Sequence, residues 1–97
     1  MLNKSEAHQI AEKRLLSIIE ESGIDLLFLD DVTLPFEFGW VFFYQSKEYV
    51  KTLDLSKLVG GNAPILVDKY TGQSKLLGTA LSVEEYLEEY CSNRSPI

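Results

Sequence analysis

The sequence predicts an α+β fold: a small antiparallel sheet of about four strands covered by an N-terminal and a C-terminal helix. Three observations predict it. Apolar residues recur at helical spacing near both ends of the chain, and each segment starts with capping residues. Between the two segments the apolar residues crowd into short runs rich in Phe, Tyr, Val and Ile. Two of those runs are joined by Asp68-Lys69-Tyr70-Thr71-Gly72, whose turn chemistry makes them neighbours in a sheet.

From Asn3 to Ser22, Ala7, Ile10, Ala11, Leu15, Ile18 and Ile19 form one apolar stripe, with Glu12, Lys13, Glu20 and Glu21 outside it. Asn3 is placed to cap this helix, Glu6 to close a capping box, and Gly23 to stop it in the left-handed region. Leu26 to Val32 reads as a first strand, ended by Leu34-Pro35, with Pro35 in the connection. Gly39 to Gln45 reads as a central strand. Trp40, Phe42 and Tyr44 fall on one face and Val41 and Phe43 on the other, so both faces need cover.

Lys47 to Val59 is an excursion in which Glu48-Tyr49-Val50 extends the strand or Asp54 to Val59 makes one or two helical turns. In the loop that follows, Gly60 and Gly61 permit positive φ or close backbone approach, and Asn62 tolerates the left-handed region. Pro64 biases Ala63 toward extended geometry. Ile65 to Asp68 and Gln73 to Leu77 then form a tight hairpin, with Asp68 bonding its own backbone and Gly72 supplying positive φ. Ser82 caps the last helix, with Glu85 three residues on and Leu81 and Tyr86 spaced as a hydrophobic staple. Its inward stripe is Val83, Tyr86, Leu87 and Tyr90. The tail from Ser92 to Ile97 should fray. The two helices are expected to cover one face of the sheet.

Ninety-seven residues, 45% hydrophobic and 25% charged, make one ordinary globular domain spanning residues 1–97. Fifteen acids against nine bases give a formal charge of −6. That charge repels phosphate backbones and anionic membrane surfaces and favours solubility or a basic protein partner. Nucleic acid and membrane are therefore not expected partners. No run approaches the roughly 18 apolar residues of a membrane span, and the first residues lack the layout of a signal peptide, so the expected compartment is the cytoplasm. A single cysteine, Cys91, excludes an internal disulfide and agrees with a reducing compartment.

Gly39-Trp40, Gly61-Asn62-Ala63-Pro64, Asp68-Lys69-Tyr70-Thr71-Gly72, Leu77-Gly78-Thr79 and Glu85-Tyr86-Leu87, in that order, resemble the immunity protein 35 family, which includes the YrhB-like proteins. The likeness covers about Leu26 to Tyr90, and the first helix matches in kind only. The resemblance implies a small bacterial α+β protein, usually encoded beside a polymorphic toxin that it neutralises by direct binding. It also admits a chaperone-like role, in which an exposed apolar strip holds partly unfolded clients; the aromatic density from Phe28 to Tyr49 motivates that alternative. Neither role involves catalysis or a cofactor. The motif residues Gly39, Trp40, Gly61, Asn62, Pro64, Asp68, Gly72 and Gly78 read as architecture.

The remaining candidates are weighed on their chemistry. Trp40 reads as a core aromatic. The Gly60–Pro64 loop lacks the Lys and Ser/Thr of a nucleotide loop and precedes a strand, so it reads as a structural turn. His8, four residues from Glu12, reads as half of a surface pair without a nucleophile or ligand cluster. Cys91 lies in the last turn of a helix, whose negative end raises a thiol pKa, and reads as structural. Glu84, Glu85, Glu88 and Glu89 lack a histidine to complete a metal site. Asp30, Asp31 and Glu37, with Glu84 and Glu88, read either as charges that keep the chain soluble or as an acidic surface that meets a basic toxin or effector. The oligomeric state, monomer or homodimer, is open at this point.

Overall fold

Both ends of the first helix form as the sequence dictates. In the computed structural model, which describes residues 1–60 and 62–94, α1 runs over Lys4–Ser22. Asn3 accepts from the Glu6 N–H at 2.8 Å, Glu6 accepts from the Asn3 N–H at 3.1 Å, and Gly23 closes the helix at φ +71°. Among the described residues six strands and two helices follow: β1 (Leu26–Phe28), β2 (Leu34–Phe36), β3 (Gly39–Phe42), β4 (Tyr44–Ser46), α2 (Lys47–Thr52), β5 (Ile65–Asp68), β6 (Ser74–Leu76) and α3 (Val83–Asn93). The fold is α+β, with a four-stranded sheet in the order β2-β3-β5-β6 and a two-stranded sheet β1-β4, both antiparallel.

The two sheets share one long hairpin with a fault in one arm. Phe28 pairs with Tyr44 and Leu34 with Val41, so the residues from Leu29 to Thr33 stand opposite Phe42 and Phe43 alone. The surplus chain folds out as a turn of 3-10 helix at Asp30–Val32, closed by Val32 N–H to Leu29 C=O. This corrects the expectation of one strand over Leu26 to Val32. Pro35, expected in the connection, lies inside β2, where an edge strand tolerates the missing donor. The central segment 39–45 divides into β3 and β4 at Phe43 because its partner strand is interrupted there. β3 is central, between β2 and β5, as its two apolar faces require.

Those two faces decide where the helices go. Phe42 and Tyr44, with Ile65 and Val67, join Ala7, Ala11 and Leu15 of α1 in one core. Val41 and Leu66, with Leu77, join Val83, Tyr86, Leu87 and Tyr90 of α3 in a second. Neighbouring strand residues thus serve opposite cores, and α1 and α3 cover opposite faces of the sheet. The expectation that both cover one face is wrong, and the period-two pattern of β3 is the reason. Each fully buried side chain such as Phe42 or Ile65 contributes about 1.5–3 kcal/mol to this packing.

The excursion is helical where a strand extension was considered. Ser46 caps α2 through the Tyr49 N–H, so Glu48-Tyr49-Val50 belongs to the helix, and Leu55–Lys57 makes one 3-10 turn. Leu53 ends α2 at φ +59°, the one non-glycine residue with positive φ among the described residues. Gly60 takes neither a positive φ nor a close approach, and Asn62 works through its side chain instead of a left-handed backbone. Its amide donates to the carbonyls of Tyr44 and Val59, pinning the loop to β4. Pro64, ahead of β5, is buried. Gly61, the partner expected for Gly60, and residues 95–97 of the tail lie outside the described residues.

The hairpin forms as expected: Asp68 accepts from the N–H groups of Tyr70 and Thr71, and Gly72 sits at φ +74°. Ser82 accepts from the Glu85 N–H at the start of α3. Leu81, expected in the staple, stays 48% exposed, and Tyr86 meets this segment through its hydroxyl, which accepts from the N–H groups of Ala80 and Leu81. Gly78 leaves room for that ring, since a Cβ there would run into the Tyr86 hydroxyl. No helix among the described residues is long and apolar enough to cross a membrane.

Candidate functional site

α1 lies across its face of the sheet and leaves a groove beside β1. The groove holds about 450 Å³ and is lined from the helix by Leu15, Leu16 and Ile19 and from the strand by Leu26, Leu27 and Phe28. Leu16 sits one residue past the buried position of Leu15, so it is turned out of the core and is 64% exposed. The far end of the groove is polar. His8 Nδ1 lies 2.9 Å from Glu12 Oε1 and Nε2 lies 3.1 Å from Asp30 Oδ1, while the ring packs on Phe28 at 4.8 Å and Phe42 at 5.6 Å. The 3-10 turn that interrupts the hairpin is what carries Asp30 to this place. Past Phe28 the same surface continues over Leu29, Asp31, Val32 and Val50. An apolar trough with a carboxylate rim suits an extended or helical segment that carries apolar and basic side chains.

On the opposite face α3 is clasped to the hairpin by a buried charge. Asp68 is wholly buried, and its carboxylate accepts from Arg94 Nε at 2.6 Å, Arg94 Nη2 at 3.0 Å and the Tyr90 hydroxyl at 2.7 Å. The Arg94 guanidinium lies over the Phe38 ring at 4.3 Å and near that of Tyr70 at 5.4 Å. The tail was expected to fray from Ser92. Instead α3 runs to Asn93 and Arg94 docks, because a buried carboxylate requires a cation. Burial pushes the Asp68 carboxyl up, but Arg94, Tyr90 and the two turn amides outweigh it and hold the carboxyl well below the usual range. Burial and the Asp68 carboxylate push the Tyr90 hydroxyl up to about 12. At neutral pH Asp68 and Arg94 are therefore charged and Tyr90 is a neutral donor. A cleft of about 320 Å³ beside them is lined by Lys75, Leu77, Gly78, Tyr86 and Tyr90.

The Tyr90 environment is directly testable. Following the Tyr90 ring carbon signals by NMR, we expect no ionisation through pH 10.5, because the neutral hydroxyl donates to the buried Asp68 carboxylate, whose charge opposes a second one beside it. A midpoint near the ordinary tyrosine value of about 10 would show that the clasp does not form in solution.

The residues singled out from the sequence separate into groups. Asp30, Asp31, Glu37, Glu84 and Glu88 are all exposed. Asp30 and Asp31 stand at the groove, with Asp30 tied to α1 through His8, whereas Glu84 and Glu88 ride on α3 across the sheet. Glu37 lies in the turn between β2 and β3. Burial, with the Glu37 carboxylate nearby, pushes the Cys91 thiol up. Trp40 is half-buried against the α1 core, Gly39 and Gly78 stand where a Cβ would meet a neighbour, Asn62 donates to the Tyr44 carbonyl, Pro64 and Asp68 are buried, and Gly72 takes a positive φ. His8, Glu12 and Leu16 line the groove but were not expected to act together. Their signals in the sequence were the four-residue spacing of His8 and Glu12 and a leucine outside the helix stripe. Among the described residues, no group of three His, Cys, Asp or Glu side chains is placed to hold a metal ion.

Comparison with known proteins adds a family. A model described as immunity protein 35 matches residues 5–91, which takes in the first helix as well as the motifs downstream. The chain is also similar to an uncharacterised Escherichia coli (strain K12) protein, YrhB, at 39% identity over 71 residues, or 65% of this chain and 76% of that one. No solved structure gives a significant match.

Proposed function

The chain belongs to the immunity protein 35 family, and we propose from that membership that it is a non-enzymatic immunity protein that binds a cognate toxin or effector and neutralises it by occlusion. The observation that carries this reading is the family match over residues 5–91. The acid-rimmed groove between α1 and β1 supports it by offering a surface suited to a basic protein. A net charge of −6 steers such a partner in and keeps copies of the chain apart. One interface on the order of 800 Å² per partner suffices to cover a toxin's active site.

The holdase alternative calls for an exposed apolar strip and is motivated by the YrhB-like resemblance and by the aromatic density between Phe28 and Tyr49. Phe42 and Tyr44 are buried and the other aromatics of that stretch are half-buried, Phe28, Phe36, Trp40 and Phe43 against the two cores and Phe38 under Arg94. That burial weakens one of the two motives for the alternative, the other being the likeness to YrhB, and supports the immunity reading over it.

The test is co-expression with the toxic domain encoded beside the chain's own gene. We expect growth to be restored and an equimolar complex to survive gel filtration at moderate salt, since charge acts mainly on association rate and contact area on retention. A chain that neither binds nor protects against that domain is not its immunity protein.

A further inference from the structure

The pairing of β1 with β4 fixes which backbone groups of β1 face outward. Leu29 N–H donates to Phe43 C=O, and Lys47 N–H donates to Asp25 C=O. Residues 25, 27 and 29 therefore occupy the hydrogen-bonded positions of this antiparallel ladder, and Leu26 and Phe28 occupy the others. The N–H and C=O groups of Leu26 and Phe28 point away from β4, toward the side on which the groove opens. No hydrogen bond among the described residues takes them up.

The opposite edge of the molecule is treated differently. On β6, Asp68 N–H donates to Gln73 C=O and Leu77 N–H donates to Pro64 C=O, so Ser74 is an outward-facing position. Arg14 reaches it from α1, donating through Nη2 to the Ser74 carbonyl at 2.9 Å and through Nε to its hydroxyl at 3.1 Å. On β2, Pro35 withholds a donor. Proteins block exposed edges because an open one recruits another strand. Here a cation caps β6 at Ser74, β2 carries a proline, and β1 is left open beside an apolar trough.

We propose that the β1 edge receives an extended segment of the toxin as an added strand, an inference that rests on the immunity reading above. Residues of the added strand opposite Leu26 and Phe28 share their face, and that face belongs to the α1 core. Their side chains enter the groove against Leu15, Leu16 and Ile19, so those positions are apolar. The rim at Glu12, Asp30 and Asp31 selects Lys or Arg near the end of the segment. A second copy of this chain meets the same edge poorly, because two chains of net charge −6 would bring two carboxylate rims together. Main-chain bonds to Leu26 and Phe28 then supply retention, and the alternating side chains supply choice of partner.

Amide hydrogen exchange of the full chain, alone and bound to the toxic domain encoded beside its gene, tests this. Exchange at Leu26 and Phe28 should slow at least tenfold in the complex, with Leu27, already paired to β4, as the internal reference. Leu16→Glu and Asp31→Lys, both at exposed positions, should leave the melting temperature unchanged and weaken the complex by tenfold or more. A complex that forms with exchange at Leu26 and Phe28 unchanged overturns strand addition and leaves the immunity reading standing. Absence of any complex removes both. Protection of the two amides without toxin, together with a doubled mass, assigns the edge to a second copy and overturns the proposal as well.

Discussion

Gly39→Ala should abolish cooperative folding or lower stability by more than about 4 kcal/mol, at the extreme of single substitutions. Gly39 opens β3 at φ +156°, a backbone conformation that residues with a Cβ rarely adopt. Its partner across the sheet is Asp68, and a Cβ at Gly39 would run into the Val67 carbonyl oxygen, with Lys69 N at 3.2 Å behind it. These are backbone atoms of β5 and its turn, held by the ladder and by Lys69 N–H to Phe38 C=O at 2.8 Å, so no side chain can swing aside. Relief would require β3 and β5 to part at the point where both cores meet the sheet. A domain of this size has roughly 5–15 kcal/mol to lose. The measurement is urea unfolding followed by circular dichroism, with Gly60→Ala as control because nothing lies within 4 Å of a Cβ there. A Gly39→Ala protein whose midpoint lies close to that of the parent would show that the strand register at Gly39 is not as described.

The parts of this fold that were legible in the sequence are those whose instructions are local. Asn3, Glu6 and Gly23 mark α1, Ser82 marks α3, and Asp68 and Gly72 mark the hairpin; in each, partner groups lie within a few residues. Alternation along β3 also carried the two-faced sheet, though the placement of both helices on one face ignored it. The fault in the first hairpin was not legible. Whether Leu29 to Thr33 continues a strand or bulges depends on which residues of β3 and β4 lie opposite, and that register is settled by both cores together. The groove inherits the same difficulty. Asp30 meets His8 across 22 residues of sequence only because the bulge puts it there, so the sequence offered an acidic pair and a helix histidine with nothing to join them. Arg94 was similarly hidden, as a lone cation in a short polar tail.

The division of labour between the two faces follows from these contacts. α3 has its apolar stripe packed on one core and its C-terminal end locked by a charge. α1 buries the small residues Ala7 and Ala11, which bring it close to the sheet, but turns Leu16 outward beside an open strand. The proposed partner surface is therefore placed on the side that carries the carboxylates of Glu12, Asp30 and Asp31.

Asp68→Ala should destabilise the folded chain by about 3–5 kcal/mol, the range for removing one member of a buried ion pair. Arg94, left with 9% of its side chain exposed, would lose the carboxylate, and the Tyr90 hydroxyl and the amides of Tyr70 and Thr71 would each lose an acceptor. Asp68→Asn should lose less, since an amide oxygen still accepts from the turn while the charge is gone. The pH dependence separates charge from shape. The folded carboxyl lies below its unfolded value of about 3.9, so its contribution is fully present above that pH. As pH falls through about 4, the unfolded chain takes up a proton that the folded chain refuses, and the contribution is lost progressively. Asp68→Asn has no such proton to take up, so its deficit relative to the parent should be constant from pH 8 to 5 and shrink toward pH 3. Urea midpoints of the two proteins at pH 7 and pH 3 decide the matter. A deficit that stays equal at both values would mean that the Asp68 carboxyl titrates normally in the fold and that Arg94 does not hold α3 through its charge.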